Sequence, residues 1–236
     1  MRMRTIAALK KLDACPEAAA WVYDLTFEDP REVLMACRQG GWTLWLATKL
    51  ADGLDDYVAI VRAVADIASL ATPFRSPDDT VSVVAVASAY TWAANPCEET
   101  RQAAIVSANA AIVPAERLFE GLRRGGGNAA IRARAAAAYA AACATAVIPN
   151  GVSRTSSSAF GIDVTRAATL AAVAVANAAY GAAYTTSDSF DAHDVRAKML
   201  ARCADIVRAR IDFDRLLAAF ECVAAKIPLL AIAPYP

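Results

Sequence analysis

The amino-acid sequence predicts an all-α protein, an alanine-rich multi-helix bundle with an apolar, proline-containing C-terminal tail. Three observations support this prediction. Alanine, the best helix former, supplies 59 of the 236 residues. Apolar residues recur at spacings of three and four, the period of a helix face. Proline, glycine and capping residues divide the chain into segments whose lengths suit helices.

The N-terminal helices are predicted from their caps and breaks. A short amphipathic helix ends before Cys15-Pro16, because proline fits only the first turn of the helix that follows. That second helix runs from Pro16 to about Tyr23 and carries Trp21 on its apolar face. Asp29 is a suitable N-cap for a third helix, and Gly40-Gly41 is expected to end it.

Two large indoles open the next predicted helix, which runs from Trp42 to Leu50. Trp42 and Trp45 lie three residues apart and therefore share one helix face, where they are expected to help nucleate the core. A fifth helix follows over 54–70. In it Arg62 and Asp66 stand one turn apart, which predicts an ion pair.

The middle of the chain contains one ambiguous segment. The valines of residues 81–86 are typical of a strand, but the apolar run continues to Ala94 and stops at Asn95-Pro96, which favours a helix over 80–94. A further helix opens at Glu98, and Pro114 is expected to kink or restart it before residues 116–124.

Three long helices are predicted in the C-terminal half. Asn128 caps a helix that runs to about Ile148, residues 164–184 form a second, and residues 189–211 form a third. The helix over 164–184 approaches the length of a membrane span, but its apolarity comes mostly from alanine, which favours a buried helix and no membrane. Asp212 opens a last helix to Lys226, and the tail 227–236 is expected to pack on the bundle or on a second copy.

These elements predict one helical domain over residues 1–236, with internal seams near 72–78 and 125–128. The large, small or charged side chains expected to hold it together are Trp21, Trp42, Trp45, Trp92, Cys37, Cys203 and Asp205.

Composition limits the classes of function. Hydrophobic residues make up 57% of the chain and charged residues 20%, which excludes a mostly disordered protein. Lys plus Arg equals Asp plus Glu at 24 each, so no overall basic field attracts nucleic acid. The N-terminus lacks the apolar core and cleavage site of a secretory signal, and we therefore expect a cytoplasmic protein. The six cysteines form no CxxC pair and are interpreted as small buried hydrophobes, with no metal and no cofactor expected.

Arginines are the main candidate binding residues. Arg123 and Arg124 precede three glycines and a predicted helix N-terminus, an arrangement that suits a phosphate or another anion, although a plain interhelix linker has the same pattern. Four further arginines lie on otherwise apolar helices, where they pair with carboxylates or, if they converge, line a ligand pocket. They are Arg38, Arg62, Arg196 and Arg208.

Two motifs support a family resemblance. They are Leu9-x-x-Leu12-x-Ala14-Cys15-x-x-Ala18-x-x-Trp21 and Cys37-Arg38-x-Gly40-x-Trp42-x-Leu44-Trp45-Leu46. Together with residues 87–92 and 198–208, they resemble a family of alanine-rich actinobacterial and phage proteins that includes immunity proteins of polymorphic-toxin systems. The resemblance spans residues 9–210. It implies a small helical protein that binds a partner such as a toxin, and it brings no catalytic residues.

Three functions remain as hypotheses. The first is a non-enzymatic binding protein that neutralises or sequesters a protein partner or a small anionic ligand. The second is a phage or particle component that assembles as a homo-oligomer through its apolar tail. The third is an enzyme acting on an anionic small molecule, for which the four arginines on apolar helices would have to meet in one pocket.

Overall fold

The computed structural model describes residues 2–27, 29–123, 128–149, 164–185 and 189–227, and these contain eleven α-helices and no strand. The prediction of an all-α fold is therefore confirmed. The helices are α1 (Arg2–Lys11), α2 (Pro16–Asp24), α3 (Pro30–Ala36), α4 (Gly40–Leu50), α5 (Leu54–Ser69), α6 (Thr80–Ala94), α7 (Glu98–Arg123), α8 (Ala129–Ala146), α9 (Val164–Tyr184), α10 (Ser189–Arg210) and α11 (Phe213–Ala225). A short 3-10 helix covers Thr72–Phe74.

Several helices begin where a side chain caps the first turn. The carboxylates of Asp29, Asp79 and Asp212 and the amide oxygen of Asn128 each accept a hydrogen bond from a backbone N–H within the next three residues. These bonds satisfy donors that a helix N-terminus otherwise leaves unpaired. The cap residues were predictable because they are short, polar and placed directly before an apolar run.

The chain contains two compact units. One unit comprises residues 1–37 and 212–236, and the other comprises residues 38–211. The expected seam at 72–78 lies inside the second unit, and residues 125–127 of the other expected seam lie outside the described residues. The tail over 228–236 also lies outside them.

The first unit is organised around α1, which packs against α2 and α11. Its buried side chains include Ile6 and Leu9 of α1, Val22 of α2 and Phe220 of α11. An ion pair of 2.7 Å joins Arg31 of α3 to an Oδ atom of Asp214, the second residue of α11, and both side chains are exposed. Because exposed ion pairs contribute little, the apolar contacts hold this unit together.

The second unit is organised around α8 and α9, which pack against each other. α8 also contacts α5, α6 and α7, and α9 also contacts α4, α5 and α10. Twelve of the 18 residues of α8 are buried, and ten of these twelve are alanine. Small side chains let helix axes approach to the short end of the usual range of roughly 8–10 Å.

Glycine permits the closest helix contacts. A Cβ atom added at Gly40 of α4 would overlap the Cβ of Cys203 and would lie 2.9 Å from the backbone N of Ala204, both on α10. A Cβ at Gly181 of α9 would lie 3.0 Å from the carbonyl oxygen of Ala129 at the start of α8. The prediction that Gly40-Gly41 ends α3 is wrong, because α3 ends at Ala36 and Gly40 is the first residue of α4.

The ambiguous valine-rich segment and the segment around Pro114 are both helical. α6 covers the valine-rich segment, as predicted, and Asn95 follows its last residue. α7 runs through Pro114 as one helix of 26 residues, so no restart occurs there. The pyrrolidine ring removes one backbone hydrogen bond to Ala110 but lies on the exposed side of α7, away from the packed neighbours.

Candidate functional site

Arg62 serves a structural role in the second unit. Its Nη2 donates a hydrogen bond of 3.0 Å to the carbonyl oxygen of Ala93, in the last turn of α6. The last carbonyls of a helix lack an intrahelical donor, and a cation there also interacts favourably with the helix dipole. The predicted ion pair between Arg62 and Asp66 does not form, because the Asp66 carboxylate instead accepts hydrogen bonds from Tyr90 and Arg210.

Asp66 lies at the centre of a polar cluster that joins three helices. The hydroxyl of Tyr90 on α6 donates a hydrogen bond of 2.6 Å to Oδ1 of Asp66 on α5. Nε of Arg210, the last residue of α10, donates a bond of 2.5 Å to Oδ2 of the same carboxylate. The hydroxyl of Ser69 lies 3.4 Å from the Tyr90 hydroxyl.

The electrostatics of this cluster favour a structural role over acid–base chemistry. Partial burial and the hydrogen bond to Asp66 both raise the pKa of Tyr90 above its ordinary value. The phenol therefore stays protonated near neutral pH and acts as a donor to the carboxylate. Sequence reasoning missed Tyr90 and Arg210, since they lie 24 and 144 residues from Asp66 along the chain.

Arg196 and Arg208 both lie on α10, but their side chains bind different partners in different turns of the helix. Nε of Arg196 donates a hydrogen bond of 3.1 Å to the amide oxygen of Asn177 on α9, while Nη1 of Arg208 donates one of 2.6 Å to Asp205 on its own helix. The two arginines are twelve residues apart. At about 1.5 Å of rise per residue, their Cα atoms are separated by roughly 18 Å, so these two do not form one pocket.

The remaining predicted arginines are spread over the chain. Arg38 is exposed in the short segment before α4. Arg123 is the last residue of α7, and its side chain lies outside the described part of the structure, as does all of Arg124. The anion cradle predicted at these two residues therefore stays a prediction.

The predicted structural residues differ in burial. Trp92, Cys37 and Cys203 are buried, whereas Trp21, Trp42 and Trp45 are partly exposed. Asp205 is largely exposed and pairs with Arg208 at 2.6 Å. Of the six cysteines, Cys15, Cys97 and Cys222 are exposed, so the prediction that all six are buried is wrong for half of them. The largest fully buried side chains among the described residues are the aliphatic Leu44, Ile60 and Ile67, and not the indoles of Trp21, Trp42 and Trp45.

The most distinctive surface feature is a row of six residues on the outer side of α7, which we name the α7 stripe. The row repeats at spacings of four, three, four, three and four, so its members share one helix face. Its members are Glu99, Ala103, Val106, Ala110, Val113 and Arg117. All six are exposed, and Val106 and Val113 are 67% and 43% exposed.

The α7 stripe lies opposite the buried side of its helix. Among the α7 side chains that the structure describes, the fully buried ones are Ala104, Ala108, Ala111 and Ala115. They too follow a spacing of four, three and four, so α7 has two small-residue faces. Sequence reasoning could have found the outer face from this repeat, but alanine on both sides gives no indication of which face is buried.

The neighbouring helix α6 extends the exposed apolar surface. The hydroxyls of Ser88 on α6 and Ser107 on α7 lie 2.9 Å apart, which fixes the register of the two helices. Val84 lies one turn from Ser88 on the same side of α6, and it is 53% exposed. Val83 is exposed to a similar degree, but it lies on a different side of α6 from Val84, the side that carries Tyr90.

Among the residues that the structure describes, no group of three or more His, Cys, Asp or Glu side chains could hold a metal ion. Two segments, Leu54–Phe74 and Val164–Tyr184, are long and apolar enough to cross a membrane by length and composition alone. In their most apolar windows 44% and 56% of the residues are buried inside the structure.

The fold and these surfaces define the protein as an all-helical bundle with an exposed apolar helix face. Comparisons with protein-family models, with curated proteins and with solved structures each found no match.

Proposed function

We propose that the protein is a non-enzymatic binding protein that neutralises or sequesters a protein partner through the α7 stripe and the adjoining Val84. The observation that carries this proposal is the exposure of Val106, at 67%, in the middle of a regular row of apolar residues. Single exposed apolar side chains are ordinary, but a continuous row with helical spacing is a typical protein-binding face.

The polar groups support a protein partner over a small anionic ligand. Arg62, Arg196 and Arg208 each hydrogen-bond a carbonyl, amide or carboxylate oxygen of the protein itself. Arg62 and Arg196 thereby join neighbouring helices, Arg208 is paired within α10, and a ligand phosphate would have to compete with these bonds. Covering the α7 stripe, in contrast, favours binding by about 25 cal/mol for each Å² of apolar surface removed from water.

The resemblance to immunity proteins supports the same class of function. An immunity protein acts by covering a toxin, which requires a stable surface and no reactive groups of its own. A helix face suits this task because its backbone is already ordered before binding, so less conformational entropy is lost than with a flexible loop.

Calorimetric titration with the purified product of each adjacent gene tests this function. We expect one of these proteins to bind, and we expect Val106→Glu to weaken binding at least about tenfold by placing a charge in the apolar face. Val83→Glu is the matched control, since it changes an exposed valine outside the stripe and should leave the affinity unchanged. Absence of binding to every adjacent product, or equal binding by the Val106→Glu protein, would contradict the proposal.

A further inference from the structure

We infer that the α7 stripe binds a second copy of this chain, so that α7 packs antiparallel against the α7 of its partner in a symmetric dimer. This inference rests on the proposed function, since it assigns a partner to the same face. Such a dimer is the resting form of the protein, and a toxin-like partner that uses this face would displace one copy.

The stripe is arranged symmetrically about Ala108. Val106 and Ala110 lie two residues on either side of it, Ala103 and Val113 lie five, and Glu99 and Arg117 lie nine. An antiparallel helix pair whose twofold axis crosses the outer face of α7 at the level of Ala108 therefore brings each stripe residue opposite the other member of its pair. A twofold axis of this kind makes a closed interface in which both copies use the same patch.

This register matches large side chains with small ones. Val106 faces Ala110 of the second copy, Val113 faces Ala103, and each contact occurs twice. Valine opposite alanine lets the two helices interdigitate, whereas valine opposite valine would hold them apart. The partly exposed apolar surface of Val106 and Val113 would be covered in this arrangement.

Charge selects the antiparallel orientation. Glu99 of one copy faces Arg117 of the other at both ends of the stripe, which gives two opposite-charge pairs. A parallel pair would instead place Glu99 against Glu99 and Arg117 against Arg117, and like charges at an interface are unfavourable. Both the size pattern and the charge pattern thus favour the same arrangement.

The length of the stripe indicates a reversible dimer. Glu99 and Arg117 are 18 residues apart, which corresponds to a helix length of roughly 27 Å. One helix pair of this length covers less surface than the 1,200 Å² or so of a standard stable interface. We therefore expect monomer and dimer to exchange with concentration.

Sedimentation equilibrium over a range of concentrations tests the dimer with charge-swapped variants. We expect the native chain to dimerise, and Glu99→Arg and Arg117→Glu each to weaken dimerisation at least about tenfold, because each places like charges at both ends. When the two single variants are mixed, every end pair is again Arg against Glu. The mixture should therefore form a heterodimer of about native affinity, and this recovery shows that both variants fold.

Two controls identify the occupant of the face. Val83→Glu should dimerise like the native chain, since Val83 lies outside the stripe. A chain shortened to residues 1–227 should also dimerise like the native chain if the second copy, and not the apolar tail, covers α7. Tighter dimerisation of the shortened chain would assign the face to the tail and overturn the inference.

A native chain that stays monomeric at high concentration would also overturn the inference, as would charge-swapped variants that dimerise normally alone. Neither result affects the proposed function, which depends on the loss of binding to an adjacent gene product by the Val106→Glu protein. The dimer and the binding function can therefore fail separately.

Discussion

The cysteines show how strongly the environment of one residue changes its chemistry. Cys97 is exposed in the turn before α7, and a contact of 3.4 Å with the hydroxyl of Thr100 lowers the pKa of its thiol. Burial instead raises the pKa of Cys143 on α8 and of Cys203 on α10 to about 12. Because the thiolate is the reactive form, these differences predict an order of reactivity.

We expect iodoacetamide at about pH 8 to alkylate Cys97 faster than the other exposed cysteines, Cys15 and Cys222, and to leave Cys143 and Cys203 unmodified in the folded protein. A time course followed by peptide mass spectrometry measures all five rates together. Thr100→Val should slow the reaction of Cys97, since the thiolate loses its hydrogen-bond donor. Modification of Cys203 at the rate of Cys15 would contradict this prediction.

At the scale of the helix, glycine marks where two elements touch. Gly40→Ala should lower the free energy of unfolding by roughly 2–3 kcal/mol, because the new methyl group overlaps Cys203 and the backbone of α10, although alanine is the better helix former. Gly53→Ala is the matched control: nothing lies within 4 Å of a Cβ at Gly53, and because Gly53 is the N-cap of α5 we expect a loss of no more than about 1 kcal/mol from the poorer cap.

Urea denaturation followed by far-ultraviolet circular dichroism measures both changes. Gly41→Ala should give an intermediate loss, since its nearest contact is the flexible methyl group of Thr169 at 3.3 Å. Equal losses for the substitutions at Gly40 and Gly53 would show that α4 and α10 are not in close contact.

The same helices show what the sequence can and cannot predict. Helix starts were predicted correctly at Asp29, Asn128 and Asp212, because a cap depends on residues within one turn. The role of Gly40 was not predictable, since its contact, Cys203, is far along the chain. A glycine pair next to a helix end is more often a helix stop than a packing site.

The candidate site shows the same limit. The arginines were identifiable as charges on apolar helices, but their partners, such as Ala93 for Arg62, are set by packing between helices. The spacing of the α7 stripe was present in the sequence. Its exposure was not, because α7 has alanine on both its inner and outer faces.

At the scale of the whole second unit, small residues let the helices pack closely. A few hydrogen bonds between side chains of different helices determine which helices become neighbours. Alanine faces such as those of α8 pack closely but are alike, so they distinguish poorly between neighbouring helices. Side chains with particular hydrogen-bonding needs make the arrangement specific. The carboxylate of Asp66, which joins α5 to both α6 and α10, is the clearest example.

We therefore expect Asp66→Ala to lower the free energy of unfolding by about 1–2 kcal/mol, since it removes two charge-assisted hydrogen bonds, one of them to a half-exposed arginine. Asp194→Ala is the matched control. It breaks an ion pair of 2.6 Å to Lys198 within α10 in which both side chains are exposed, so its loss should stay below about 0.5 kcal/mol. Urea denaturation of both variants measures the difference. Equal losses would mean that the hydrogen bond between Asp66 and Arg210, which lie 144 residues apart in the chain, adds no more stability than an ion pair within one helix.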